Sequence, residues 1–136
     1  MNIYILIQVL ISGVISGLVI FQSAFVAPTV FSKIPEENRP LFLRNIFPKL
    51  FKSITVLGIA FSFVAYINPV NDLFIYLVGF ITIFSGIICY AIIPATNKAK
   101  DAGENKTFWI LHQISVLVTL ICLIVNLTWL FLLSFV

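Results

Sequence analysis

The sequence predicts an all-α membrane protein, a four-helix transmembrane bundle with a short amphipathic cytoplasmic connector between spans 1 and 2. Three observations carry that prediction. The composition is 61% hydrophobic and 10% charged with a mean hydropathy of +1.15, outside the range of soluble domains. Four apolar stretches come close to or exceed the roughly 20 residues a helix needs to cross the hydrocarbon core. All eight Lys and Arg residues lie in two short segments, 33–52 and 98–106, so the charges punctuate apolar runs instead of coating a surface. One membrane domain accounts for residues 1–136.

The first span covers about residues 3–26. No Lys or Arg precedes Ile3, and the apolar run is too long for the h-region of a cleavable signal, so the span is expected to be retained. Pro28 is expected to restrict the helix beyond that point. In the connector, Pro35, Glu36 and Glu37 suit the first turn of a short helix, where proline needs no N–H and acids meet the positive end of the helix dipole. Pro40 and Pro48 then limit the connector to brief pieces. Leu43, Phe47, Leu50 and Phe51 recur at helical spacing opposite Arg39, Arg44, Lys49 and Lys52, the pattern of a segment lying on a membrane surface.

The second span is placed at about 50–67, because residues 53–67 alone would reach only about 22 Å at 1.5 Å per residue. Asn68, Pro69, Val70, Asn71 and Asp72 read as a tight turn, which makes spans two and three an antiparallel hairpin. The third span runs about 73–93 and ends at Pro94, a polar loop follows over 95–107, and the fourth span covers about 108–132. The loops 33–52 and 95–107 then share one side of the membrane, with every Lys and Arg, while both termini and the 68–72 turn share the other, with none. By the positive-inside rule the loops are cytoplasmic and both termini lie outside the cytoplasm, as in a multi-pass protein of a bacterial-type inner membrane. The basic residues are interleaved with Phe, Leu and Pro, so the expected partner is the lipid bilayer and not a nucleic acid.

Each span carries a small or polar face. On the fourth, His112, Ser115, Thr119, Cys122 and Asn126 fall on one stripe; on the third, Gly79, Thr82, Gly86 and Cys89; on the second, Thr55, Gly58, Ser62 and Ala65. On the first, Gln8, Ser12 and Ser16 step by four, and Gly13 and Gly17 form a small-xxx-small pair. Such faces allow close helix packing, either within the bundle or in a homo-oligomer, and they can equally surround a polar site. Gln8 and Asn126 favour the second possibility, because a full amide in hydrocarbon is costly without partners. Cys89 and Cys122 fall inside spans, match no Cys-x-x-Cys pattern, and read as small packing residues.

His112 is the only histidine and lies about one turn into the fourth span. An intramembrane ionisable group is a functional suspect, although a ring bonded to a carbonyl or headgroup is the plainer role. Topology offers it Gln22, Ser23, Arg44, Asn45 and Ser115 as companions, so the candidate ligand-binding set is His112, Arg44, Asn45, Gln22 and Ser115. A cationic, hydrogen-bonding pocket of that kind suits an anionic or headgroup-like ligand.

No cofactor is predicted. One histidine cannot hold haem between two imidazoles, but a single axial ligand or one shared across a dimer leaves haem or copper open. His112 and Cys122 lie ten residues apart, about 15 Å along a helix, too far to share one ion. No span contains Asp or Glu, which disfavours a carboxylate proton relay, and no nucleophile-base or phosphate-loop motif points to an enzyme.

Several segments together resemble the transmembrane-protein-205-like family of small four-span membrane proteins: Ser23 to Phe31 followed by Ile34-Pro35, Ile46 to Phe51, Ile93-Pro94, and Phe108 with Leu111, His112 and Ser115. The resemblance covers nearly the whole chain and implies the four-span architecture, with a domain of unknown function. A weaker architectural similarity links that family to copper-resistance D proteins and the four-span haem-pathway oxidase. This chain departs from them in having no histidine in the first span and only one His and one Met altogether. Three functions therefore stand at this level: binding or moving a small solute or lipid-like ligand, a haem- or metal-associated oxidoreductase, and a structural or interaction protein.

Overall fold

The computed structural model describes residues 2–69 and 73–132, and every element in it is helical. Helix α1 (Ile3–Phe21) passes through a π-helical turn (Gln22–Val26) into α2 (Ala27–Lys33). The first span is thus longer than the expected 3–26, and Pro28 does not end it. The wider turn prepares for the proline: Ala27 N–H reaches back to the Gln22 carbonyl, and Pro28 falls in the first turn of α2, where a missing N–H matters little. The break comes at Ile34, which is extended, as the residue before a proline prefers. Arg39 fastens it, its guanidinium donating to the Ile34 and Phe31 carbonyls at 2.9 and 2.8 Å.

The expected connector is corrected more strongly. After one 3-10 turn (Glu36–Asn38), α3 (Arg39–Ile67) is a single helix of 29 residues. Pro40 sits in its first turn, where it is harmless, and Pro48 lies inside it. An interior proline costs about 3 kcal/mol, but breaking the helix there would unpack Phe51 and Ile54, both buried, and the Phe47 and Leu50 side chains against them. Residues 39–52 are therefore continuous with the helix of the second span and are not broken into brief pieces at Pro40 and Pro48. For the same reason α4 (Leu73–Asp101) runs straight through Pro94, beyond which Ala99 is buried, so the third span does not stop at 93.

The polar loop expected over 95–107 shrinks to a tight reversal before α5 (Asn105–Leu132). Glu104 N–H bonds the Ala99 carbonyl at 2.9 Å and Gly103 N–H bonds that of Lys100 at 3.2 Å, a Schellman closure. Gly103 has φ of 70°, which a residue with a side chain rarely adopts. The turn expected at 68–72 lies in part outside the described residues, at 70–72.

The four long helices, Ile3–Lys33, Glu36–Ile67, Leu73–Asp101 and Asn105–Leu132, are each long and apolar enough to span a membrane. The α3–α4 hairpin is antiparallel: Arg44 meets Asp101 at the basic end, and Tyr76 Oη reaches the Ala65 carbonyl near the other. Here the small residues meet as expected. A Cβ added to Gly86 would stand 2.9 Å from the Phe51 carbonyl oxygen, and one added to Gly58 would stand 3.0 Å from the Ile83 nitrogen, so backbone packs on backbone. Gly13 and Gly17 differ, having nothing within 4 Å of a Cβ position. That pair faces out of the bundle, because the inward face of α1 is taken by Gln8, Ser12, Ile15, Ser16 and Val19. One core cluster, of Ile15, Val19, Phe51, Ile54, Cys89 and Cys122, fills the middle of the bundle. A second, of Phe61, Ala65, Ile75, Val78 and Trp129, fills the end nearer the termini.

Candidate functional site: a buried polar seam

The residues expected to form a pocket are each held differently. Arg44, on the basic half of α3, is ion-paired with Asp101 at the end of α4, both side chains partly exposed. Asn45 turns back to the Leu41 carbonyl of its own helix at 2.7 Å. His112 is exposed and lies flat against Phe108 one turn earlier, with ring centroids 6.0 Å apart and 9° between planes. Ser115 contributes its carbonyl, which accepts from Thr119 Oγ1 at 2.6 Å and from the Cys89 thiol at 3.7 Å. Gln22 is buried in the π-helical turn, and its Nε2 has no partner among the described residues. Among the described residues no hydrogen bond, ion pair or ring contact joins any two of these five.

A different set of polar groups is buried inside the bundle, on α1, α4 and α5. The four-residue steps of Gln8, Ser12 and Ser16 place all three on the inward face of α1, where Gln8 and Ser12 are completely buried and Ser16 nearly so. On α5, Asn126 is completely buried and Trp129, one turn on, is 5% exposed. Asn126 Nδ2 donates to Thr82 Oγ1 of α4 and to the Cys122 carbonyl, both at 2.9 Å. Thr82 in turn gives its proton to the Val78 carbonyl at 2.7 Å, so its oxygen can only accept from Asn126. Two acceptors on one side fix which way the amide points and leave Asn126 Oδ1 bare. The Gln8 amide nitrogen and oxygen, both serine hydroxyls and the Trp129 indole N–H likewise have no partner among the described residues.

Ile11, between Gln8 and Ser12 in sequence, packs against both core clusters, which include Cys122 and Trp129 of α5. The seam offers neutral donors from Gln8 and Trp129, neutral acceptors from Gln8 and Asn126, and hydroxyls that can do either. None of its members is ionisable.

Gln8 and Asn126 stand out in the sequence as intramembrane amides. Trp129 does not, because a tryptophan near the end of a span reads as an interfacial anchor; its place three residues after Asn126, on the same stripe, was the available signal. For metals, no group of three or more His, Cys, Asp or Glu side chains that could hold an ion occurs among the described residues. His112, expected as the single axial ligand that a haem could find here, has an exposed side chain.

A family model described as a domain of unknown function (DUF4149) matches residues 10–105, from the first turns of α1 to the first residue of α5. The match spans Ser12, Ser16, Gln22, Arg44, Thr82 and Cys89; the narrower transmembrane-protein-205-like name is not part of it. No curated protein and no solved structure matches the chain. With four membrane-spanning helices and a family match over most of its length, the chain belongs to the DUF4149 family of integral membrane proteins.

Proposed function

We propose that this membrane protein holds a small, uncharged, hydrogen-bonding solute inside the bundle, among Gln8, Ser12, Ser16, Asn126 and Trp129. The observation that carries the reading is the concentration, on the buried faces of α1 and α5, of buried polar atoms without partners among the described residues. Each such atom costs about 1–3 kcal/mol if unmet, and within a bilayer there is no bulk water to relieve it. A seam with no charge fits a neutral ligand better than an anion, which moves the reading away from His112 and Arg44. The charge asymmetry adds an orientation: the basic end is cytoplasmic, so the seam lies in the half of the bundle nearer the exterior.

The test uses detergent-purified protein and a panel of small neutral solutes, glycerol, urea, acetamide and xylitol, read by thermal unfolding. A ligand of the native state raises the midpoint by mass action. At least one solute should stabilise the wild type, and Gln8→Leu with Asn126→Leu should abolish the shift. No shift with any solute, or shifts that survive both substitutions, would leave the seam as packing and favour a structural or interaction role.

A further inference from the structure

We propose that the groove between α1 and α3 is a site for one anionic phospholipid, its phosphate held by Lys49, Lys52 and Ser53 and an acyl chain lying along Leu18, Val56 and Leu57. The groove is lined by Leu18 of α1 and by Lys52, Ser53, Val56 and Leu57 of α3. It is apolar along its length and polar at one end only. That end coincides with the point where α3 changes character: Arg39, Arg44, Lys49 and Lys52 precede it, and from Ser53 to Ile67 no charged residue occurs. A cation at the head of an apolar trough matches the anatomy of a phospholipid, with its charged phosphate and its hydrocarbon tail.

Charge supplies the second argument. Lys49 and Lys52 are three residues apart on one helix face, where like charges repel. Neither is ion-paired among the described residues, whose salt bridge joins Arg44 to Asp101. Both side chains are exposed, and the Lys52 ammonium stands 5.2 Å from the centroid of the Tyr90 ring of α4. An anion is missing from the protein's own complement at this place, and a phosphate oxygen bridging the two ammonium groups would relieve the repulsion.

The test is lipid binding to the full-length protein in neutral detergent, by native mass spectrometry and thermal unfolding, with phosphatidylglycerol, phosphatidylcholine or inorganic phosphate added. Phosphatidylglycerol should bind as one retained molecule and raise the unfolding midpoint, while phosphatidylcholine and phosphate should not. Lys49→Gln with Lys52→Gln should weaken that binding roughly thirtyfold, from about 1 kcal/mol for each lysine. Lys33→Gln with Lys106→Gln, which removes the same charge elsewhere at the basic end, should leave it unchanged. Val56→Trp, which fills the trough and keeps both lysines, should also weaken it. Equal retention of the two lipids, equal loss in the two double variants, or stabilisation by phosphate alone would each overturn the proposal.

Discussion

Asn126 and Thr82 form a fixed pair across α4 and α5: the amide nitrogen donates at 2.9 Å to a hydroxyl oxygen whose own proton is already given to Val78. The bond locks the amide in one orientation and presents its oxygen, unpartnered, to the interior.

That pair makes the first prediction. Thr82→Val should destabilise the bundle by about 1 kcal/mol by removing an acceptor, and a double-mutant cycle with Asn126→Leu should give a coupling of about 0.6 kcal/mol, rising to at most about 1.7. Unfolding of the four proteins in mixed micelles measures it. Additive effects would show that the bond contributes nothing.

The remaining seam residues should respond unlike ordinary core. Because the Gln8 amide has no partner among the described residues, Gln8→Leu removes a buried polar group without orphaning another of them, and stability should stay within about 1 kcal/mol or rise. A loss of more than about 2 kcal/mol in thermal unfolding would mean that Gln8 bonds strongly to something in the native bundle.

Backbone contact at the glycines predicts a steep size dependence. Gly86→Leu should cost several kcal/mol, since even a Cβ would stand 2.9 Å from the Phe51 carbonyl oxygen, whereas Gly13→Leu and Gly17→Leu should be within about 0.5 kcal/mol. Expression level and unfolding of the purified variants separate the two classes. A severe Gly17→Leu phenotype would reveal a packed partner on the outward face of α1.

The Arg44–Asp101 pair, although it joins the ends of α3 and α4, is half in solvent. Arg44→Ala should lower stability by less than about 1 kcal/mol, and the difference should shrink as salt is raised. An effect of several kcal/mol that persists at 1 M salt would assign Arg44 a role beyond this pair.

The orientation rests on eight Lys and Arg residues at one end of the bundle and none in the sequence flanking the other. A reporter fused to the C-terminus should be active outside the cytoplasm, and the Ala102–Glu104 reversal should resist protease added from outside. A cytoplasmic C-terminus would reverse the reading.

The sequence by itself determined the helical membrane architecture, the number of spans and the faces they pack with. Those properties follow from local hydropathy, from length, and from residue size at Gly58, Thr82 and Gly86, all of which act within one helix. Tertiary structure decided where the helices end. Pro28, Pro48 and Pro94 carry a local penalty that a sequence reading takes as a boundary, yet each helix runs on because residues beyond the proline, such as Phe51 and Ala99, are buried against other helices. Tertiary structure likewise decided which polar groups share a neighbourhood. The spacing of Gln8, Ser12 and Asn126 marks a face on each helix, but only packing within the bundle buries those faces completely while leaving His112 outside against Phe108. Periodicity records the face a residue occupies on its own helix, and contact between helices depends on the rotation and depth at which they pack.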